Sequence, residues 1–593
     1  MKATIGIPRS RIVALLIGGA MAIAVMACRQ QQSEEPPFPI QNADAPRILI
    51  ASFENMGTPD DAFLADGLTR EITKRLATVR GLGFVSKIGV APSQAAPPPA
   101  NEIGRDLGVD YVLDGSVLWD QSAELNQQLD IEAELFRVSD GIVVWSDRVV
   151  RPMSDILSIE SAICHAVVEH IGIGIRPEER QALDARPTET LVAYEAYLRG
   201  LEYSGSYEAK ELELAEQHFN RAVSLDPNFA EAHAALSENH SIMFQFRYDR
   251  APQRLASANA SAQRAYDIDP NLPDAHRARG NYYYWCQKNF ELALSEFSLA
   301  AHGRPNDPRI IESIGFVLRR QGRWQEAVNA LQRAASIEPE NHDTIIALAS
   351  TLSRMRQYDE AVETCQRAID IGPDKILPYV HFARSLILRD GAVEEAREVL
   401  AGMPHKDPAQ QAKYLYDQAI FERDYDRAMS ALSTVVDDFG DPIGEIEFTR
   451  SLAECECRIL AQTGNASSPA CIDALESLER KRDVSPGDPA IHAALGWAYA
   501  LTGQKEKAIE AGRRAVELTP ITADSMSGHT YAGTVANIYA WADEPHLALK
   551  TIHITLATPG WISVAALALD PDWDPIRDDP RFQELLRMHG GAE

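Results

Sequence analysis

The feature that most constrains the fold is a recurring spacing of small and apolar residues that ends in proline. Three such residues are separated by four and three positions, and a proline follows five positions later. This spacing occurs in Ala327, Leu331, Ala334 and Pro339, in Ala361, Cys365, Ala368 and Pro373, and in Ala508, Gly512, Ala515 and Pro520. Pro305, Pro339 and Pro373 lie 34 residues apart, as do Pro486 and Pro520. A fixed period of this length predicts an array of helical units that must stack to bury their apolar faces.

The residues between these positions resemble those of the tetratricopeptide repeat. His492, Leu495, Gly496 and Tyr499 stand where that family has Trp, Leu, Gly and Tyr. The resemblance implies an all-α tetratricopeptide-repeat (TPR) solenoid over residues 188–557, with about ten units of two antiparallel helices. The units between 374 and 485 keep the pattern only in part. The resemblance also implies that the first helix of each unit lines a groove for a protein or peptide partner.

A cluster of arginines and aromatic residues falls on the predicted groove side of residues 273–395. Its members are Tyr284, Trp285, Phe316, Arg319, Arg320, Arg354 and Arg384. Four arginines gathered in a chain of net charge -29 suggest a site for an extended peptide with an acidic group. The alternative is that these arginines pair with neighbouring glutamates and aspartates and bind nothing.

A smaller α/β domain is predicted at residues 47–175, ahead of the repeats. Alternating or continuous apolar runs predict strands at 47–53, 81–87, 111–119, 127–138 and 141–150. Apolar residues at helical spacing predict helices at 60–77, 99–107 and 154–171. The order of these elements predicts a two-layer domain, with the helices on one face of a mixed sheet.

Four segments of this domain resemble the TolB-like amino-terminal domain. They are FENM at 53–56, ADGLT at 65–69, LGVDYVLDGSV at 107–117 and VVWSDR at 143–148. That domain is found beside TPR arrays in bacterial signalling proteins, including class III adenylate cyclases and winged-helix regulators. The resemblance implies no active site within the domain.

The first 28 residues have the layout of a secretory signal. Three basic residues precede an apolar run at 12–27, and Cys28 follows directly. The stretch from Val25 to Cys28 resembles a bacterial lipobox, which implies cleavage and acylation at Cys28. The alternative is an uncleaved membrane anchor; either reading predicts a chain tethered to the membrane and exposed on the outer side of it. Residues 29–46 are predicted to form a flexible tether.

No motif in the chain predicts catalysis, a metal or a cofactor. It lacks the Gly-rich phosphate loops, the nucleophile elbow and the cysteine spacing of zinc sites. A net charge of -29 disfavours nucleic acid as a partner. Cys457 and Cys471 flank a short loop, and whether they form a disulfide is left open by the sequence. Residues 558–593 are predicted to cap the last repeat.

Overall fold

A computed structural model describes residues 45–86, 100–120, 128–205, 208–404, 408–435 and 449–590. The predicted signal segment, Cys28 and nearly all of the predicted tether lie outside these residues. Within the described ranges, no helix combines the length and the apolar character that crossing a bilayer requires.

The amino-terminal region contains one mixed sheet in the order β3-β1-β4-β5-β6, with β2 paired to β4. The strands are β1 (Arg47–Ile50), β2 (Glu54–Asn55), β3 (Gly83–Ser86), β4 (Tyr111–Asp120), β5 (Gln128–Arg137) and β6 (Ile142–Pro152). Strand β1 pairs in parallel with β3 and with β4, and β2 pairs in parallel with β4. Strands β4, β5 and β6 form an antiparallel meander. Strand β6 is an edge of the sheet, which explains its largely exposed side chains.

Helices cover both faces of this sheet, so the predicted two-layer arrangement with helices on one face is wrong. Helices α1 (Ala62–Leu76) and α3 (Ile156–Ile171) share a buried cluster with Ile48 and Leu113. The short α2 (Ala100–Asp106) lies on the opposite face, beside Leu49 and Val112. Successive strand residues point to opposite faces, and the parallel strands are apolar at both. The side chains from Ile48 to Ile50 therefore require a packed helix on each face of the sheet to be buried.

Behind a connecting helix, α4 (Pro177–Leu183), the described helices form ten successive antiparallel pairs. The pairs are α5 (Leu191–Ser204) with α6 (Ala209–Leu225), α7 (Ala230–Gln245) with α8 (Pro252–Ile268), α9 (Pro273–Asn281) with α10 (Phe290–Gly303), α11 (Pro308–Arg320) with α12 (Trp324–Ile337), α13 (His342–Arg354) with α14 (Tyr358–Ile371), α15 (Leu377–Asp390) with α16 (Val393–Ala401), α17 (Pro408–Phe421) with α18 (Tyr425–Leu432), α19 (Arg450–Leu460) with α20 (Pro469–Val484), α21 (Pro489–Leu501) with α22 (Lys505–Leu518) and α23 (Ser527–Trp541) with α24 (Pro545–Leu556).

Two local features recur in these hairpins, the first in some of them and the second in nine. A small residue on the first helix admits a large one from the second: a Cβ atom on Gly200 would lie 2.4 Å from the ring of Phe219, and one on Gly280 would lie 2.5 Å from the ring of Phe297. The chain then turns through a residue with positive φ. Those residues are Arg247, Lys288, Gly322, Arg356, Gly391, Arg423, Gln462, Gly503 and Asp543. Most are not glycine, so the turn is kept at a cost of roughly 1–2 kcal/mol at each non-glycine position.

The α/β domain packs against the repeats through one continuous buried cluster that includes residues of α1, α3, α5 and α11. Asn306, which is 2 % exposed, joins the two parts by hydrogen bonds. Its Nδ2 donates to the carbonyls of Val79 and Leu82, both at 3.0 Å, and its backbone N–H donates to Ala77 at 3.2 Å. Because the amide satisfies backbone carbonyls of the other domain, Asn306 fixes their relative position.

A disulfide joins α19 to α20, but its first cysteine is Cys455 and not the Cys457 considered from the sequence. The Cα atoms of Cys455 and Cys471 are 4.8 Å apart, and the bond links residues 16 apart in the chain. Cys457 remains a buried free thiol beside the carbonyl of Tyr425. Residues two apart on a helix point in nearly opposite directions. Cys455 therefore faces α20, whereas Cys457 faces the preceding hairpin.

The carboxyl-terminal segment contains α25 (Val564–Leu569), a 3-10 turn at Pro571–Ile576 and α26 (Pro580–Gly590). Trp573, Ile576 and Phe582 pack on α23 and α24 through Tyr539 and Ile552. These contacts bury the apolar face of the last hairpin, which no further repeat covers.

Candidate functional site

The chain's own carboxyl-terminal part, residues 520–576, runs across the ends of first helices from four successive hairpins. The Ser525 N–H donates to the Arg320 carbonyl at 2.7 Å, and the Gly560 N–H donates to the Arg354 carbonyl at 2.9 Å. These arginines are the last residues of α11 and α13. Further along, the Arg423 guanidinium binds the Asp574 carboxylate with two contacts of 2.7 Å. The superhelix thus curls until its end meets the hairpins in its middle.

The first contact is an ion pair at the end of α11. The Arg320 Nη1 lies 3.0 Å from Asp524 Oδ2 and donates to the Ser527 hydroxyl at 2.7 Å. The Arg320 Nε donates to the Tyr284 hydroxyl at 3.3 Å. The side chains of Arg320 and Asp524 are 14 % and 9 % exposed. Water therefore screens this pair little, and removal of one partner leaves the other charge poorly solvated.

The second contact is an aromatic ring held by two arginines. The guanidinium carbons of Arg354 and Arg384 lie 4.2 Å and 4.9 Å from the ring centroid of Trp561. Arg354 is fully buried. The His381 ring stacks on Trp561 at 6.1 Å. Burial, with the charges of Arg384, Arg354 and Arg319, lowers the pKa of His381 to about 3, so this imidazole is neutral at physiological pH.

The seven residues proposed from the sequence thus fall into two groups. Tyr284, Trp285, Phe316, Arg319 and Arg320 lie together on α11 and the turn after α9, whereas Arg354 and Arg384 surround Trp561 on α13 and α15. The Arg319 guanidinium lies 4.6 Å from the Phe316 ring, and burial lowers its pKa. Arg320 does pair with an acid, but that acid is 204 residues away in the chain and not a neighbour.

Three residues at this surface were not predicted from the sequence: His381, Asp524 and Trp561. His381 and Trp561 follow no repeat consensus, and Asp524 lies in the link before α23. A signal was present in the tryptophan of the segment TPGW at 558–561, because a large aromatic residue among turn formers is unusual on a free surface. The sequence did not indicate which helices this ring meets.

A cavity of about 310 Å³ opens beside this surface. It lies between α15 and α17 on one side and α23 and α25 on the other, and Arg384 and Trp561 belong to its wall. Across the described ranges, no group of three or more His, Cys, Asp or Glu side chains is arranged to hold a metal ion. The surface and the cavity present charged, amide and aromatic groups.

Two segments match tetratricopeptide-repeat families, at residues 318–381 and 472–520. The helical pairs in these two segments are therefore tetratricopeptide repeats, as the 34-residue spacing predicts. Repeats of this kind mediate protein–protein interaction in the proteins that contain them.

A protein named "Putative adenylate cyclase 3" from Rhizobium meliloti (strain 1021) is 27% identical over 214 residues, which are 35% of this chain and 36% of that protein. The chain thus matches about a third of that relative's length. Among solved structures, PilF of Pseudomonas aeruginosa is 19% identical with a TM-score of 0.28, over 34% of this chain and 90% of that one. Human IFIT1, solved as a dimer with m7Gppp-AAAA, is 15% identical with a TM-score of 0.35, over 61% and 77%.

Proposed function

We propose that this protein is a non-catalytic scaffold, tethered to the membrane, that recruits a protein or peptide partner through the concave surface of its repeats. The observation that carries the proposal is the surface formed by Arg320, Arg354 and Arg384. It already holds a segment of polypeptide by an aspartate and a tryptophan. A surface built to bind those two side chains in its own chain has the chemistry to bind them in another.

The partner segment is an extended peptide with an acidic residue and an aromatic residue, which mimic Asp524 and Trp561. Such a partner competes with residues 520–576 for the same arginines. An intramolecular ligand has an effective concentration on the order of millimolar. A partner therefore displaces residues 520–576 when it binds the arginines more tightly than this segment does, or when it is concentrated on the same membrane.

The test replaces Arg320 and Arg384 together by glutamine and recovers the protein with its bound partners from native membranes. Arg397→Gln is the matched control, because Arg397 lies on the second helix of its hairpin with its side chain 49% exposed. We expect the double variant to lose its co-purifying protein and the control to retain it. Unchanged recovery with the double variant refutes the proposed site.

The tether in this proposal is a lipid on Cys28, with residues 29–46 as spacer, and the folded part is on the outer side of the cytoplasmic membrane. The disulfide between Cys455 and Cys471 supports this location, because disulfides persist in oxidising compartments. Intact mass of the chain from membranes, beside Cys28→Ala, tests it. The proposal predicts loss of residues 1–27 and a diacylglycerol-sized gain that the variant lacks. An unmodified full-length chain supports the alternative of an uncleaved anchor.

A second candidate function is a regulatory module of a bacterial signalling system. It is favoured by the match to the protein named as an adenylate cyclase and by the resemblance of residues 47–175 to the TolB-like domain. In this proposal, the α/β domain contacts a ligand or a second protein, and the repeats transmit the change. Replacement of Val143 and Val150 by serine, on the exposed edge strand β6, separates the two functions without opening the shared core: a scaffold keeps its groove partner, whereas a sensor that uses this face loses its response.

A further inference from the structure

The cavity beside the repeat surface has the size and the lining of a small-molecule site. Its volume of about 310 Å³ is at the lower end of ligand pockets, which span roughly 300–1,000 Å³. Apolar and aromatic side chains form much of its wall, including Val380, Leu400, Phe421, Trp561 and Trp573. A compact ligand with an apolar body fits this lining.

Two amide groups of the wall each have a buried oxygen that accepts no hydrogen bond within the described residues. Gln418 is 3 % exposed, and its Nε2 donates to the Val393 carbonyl at 2.8 Å and to Glu422 Oε1 at 2.7 Å. Within the described residues, no donor reaches Gln418 Oε1. The same holds for Asn537 Oδ1, whose Nδ2 is directed to the Asp572 carboxylate at 3.2 Å. Buried acceptors without donors are rare in folded proteins, so these two oxygens point to a ligand with N–H groups.

Three carboxylates lie close to these oxygens. Asp417 and Asp570 line the cavity, and Asp572 lies beside Asn537. Lys413 pairs with Asp417. Arg577 donates to the backbone carbonyl of Asp570 at 2.7 Å and binds the carboxylate of Asp574 instead of that of Asp570.

Burial is the main cause that raises the pKa of Asp570, and nearby Glu456 and Asp417 raise it further. Burial and the charge of Asp570 likewise raise the pKa of Asp572. A cation in the cavity stabilises the ionised form of both carboxylates.

Arg384 limits the number of positive charges that the ligand carries. It lines the same cavity, and among the described residues its guanidinium has no carboxylate partner. A second ammonium group on the ligand meets this positive charge at close range, where low dielectric strengthens repulsion. The lining therefore favours a single cationic group on an apolar body.

We propose that the cavity binds a small apolar molecule with one ammonium group, which donates to Gln418 and Asn537 and pairs with Asp570. This site shares Arg384 and Trp561 with the partner surface of the proposed function, and a partner that displaces residues 520–576 removes part of its wall. Loss of partner binding in the arginine variants therefore does not decide this inference, which the titration of the partner-free chain tests by itself.

The experiment is calorimetric titration of the full chain with three monoamines: 2-phenylethylamine, cyclohexylamine and hexylamine. The alcohol of the same skeleton is the control for each amine, and 1,6-diaminohexane tests the limit of one charge. We expect at least one monoamine to bind tenfold or more tightly than its alcohol and than the diamine. The inference is overturned if no amine exceeds its alcohol.

Two variants locate the site, and one serves as the matched control. Asp570→Asn keeps the helix cap that this side chain gives to the Asp572 N–H, because asparagine caps as well as aspartate. It is expected to weaken the amine tenfold to a hundredfold, as loss of a charge-assisted hydrogen bond does. Gln418→Met is expected to weaken it about tenfold. Gln366→Met, on the exposed face of α14, is expected to leave binding unchanged. Equal affinity in all three folded variants contradicts the assigned site.

Discussion

The replacement Trp561→Ala tests how the carboxyl-terminal segment is held on the repeats. Trp561 is half-buried and lies between two guanidinium groups and an imidazole. A tryptophan buries about 150–250 Å² when fully enclosed, so roughly 100 Å² is lost here, which corresponds to about 2.5 kcal/mol. Two cation–π contacts add about 1–2 kcal/mol together. We expect the local contact to weaken by about 3.5–4.5 kcal/mol.

Hydrogen exchange measures this change at the Gly560 N–H, which donates to the Arg354 carbonyl. A loss of about 3.5–4.5 kcal/mol corresponds to a gain of about three hundredfold or more in the exchange rate of peptides that cover 558–566. Trp145→Ala is the control, because Trp145 packs on the α/β domain beside His170. The reasoning is refuted if exchange at 558–566 is unchanged by Trp561→Ala, or if Trp145→Ala accelerates it equally.

Four further predictions follow from single contacts. Acidification from pH 7.5 to 5.5 is expected to destabilise the fold by about 1.4 kcal/mol through His381, because its pKa is lowered to about 3 from an ordinary 6.5. The unfolded chain binds a proton at this residue below pH 6.5 and the folded chain does not, so the stability present above pH 6.5 is lost as the pH falls. The urea midpoint of His381→Asn should lack this share of the loss. Asn306→Ala should cost about 1–3 kcal/mol and increase proteolysis between the α/β domain and the repeats. Reduction of the Cys455–Cys471 bond, which closes a loop with a separation of 16 residues, should lower stability by about 3 kcal/mol, and a Cys455→Ala variant should show no further response to reductant. Gln462→Gly should stabilise by about 0.5–1 kcal/mol in thermal unfolding, because its φ of 57° favours glycine; an unchanged or lower Tm contradicts this.

The helices and strands could be predicted from the sequence because each depends on a pattern of neighbouring residues. Each predicted strand and helix of residues 47–171 lies within a few residues of an observed one, since apolar periodicity depends only on neighbours in the chain. The repeats were readable because their spacing recurs, and it is confirmed by the two matched segments. The sequence predicts α2 but not the face of the sheet that it covers, because that face depends on how the chain crosses between strands and not on the pattern within the helix.

The surface was predictable only as a set of residues on first helices, because their surroundings depend on the whole superhelix. Arg320 meets Asp524 only after the repeats between them have completed their curve. A small change in the rotation of each unit moves the end of such an array by many ångströms. For the same reason, the cavity walls come from residues as distant as Val380 and Trp573, and no local pattern indicates them. The choice of Cys455 as partner of Cys471 likewise depends on which face of α19 meets α20.

Site-directed photocrosslinking in native membranes tests whether the repeat surface recruits a protein. One variant carries a photoreactive phenylalanine at Phe316, a partly buried residue on the same helix as Arg320, so that all of the arginines are kept. A second carries it at Gln325, on the outer helix of a hairpin. We expect a discrete crosslinked partner from position 316 and none from position 325, and a peptide that contains aspartate and tryptophan should compete with that partner. The same products at both positions, or none at 316, would show that this surface does not recruit a protein.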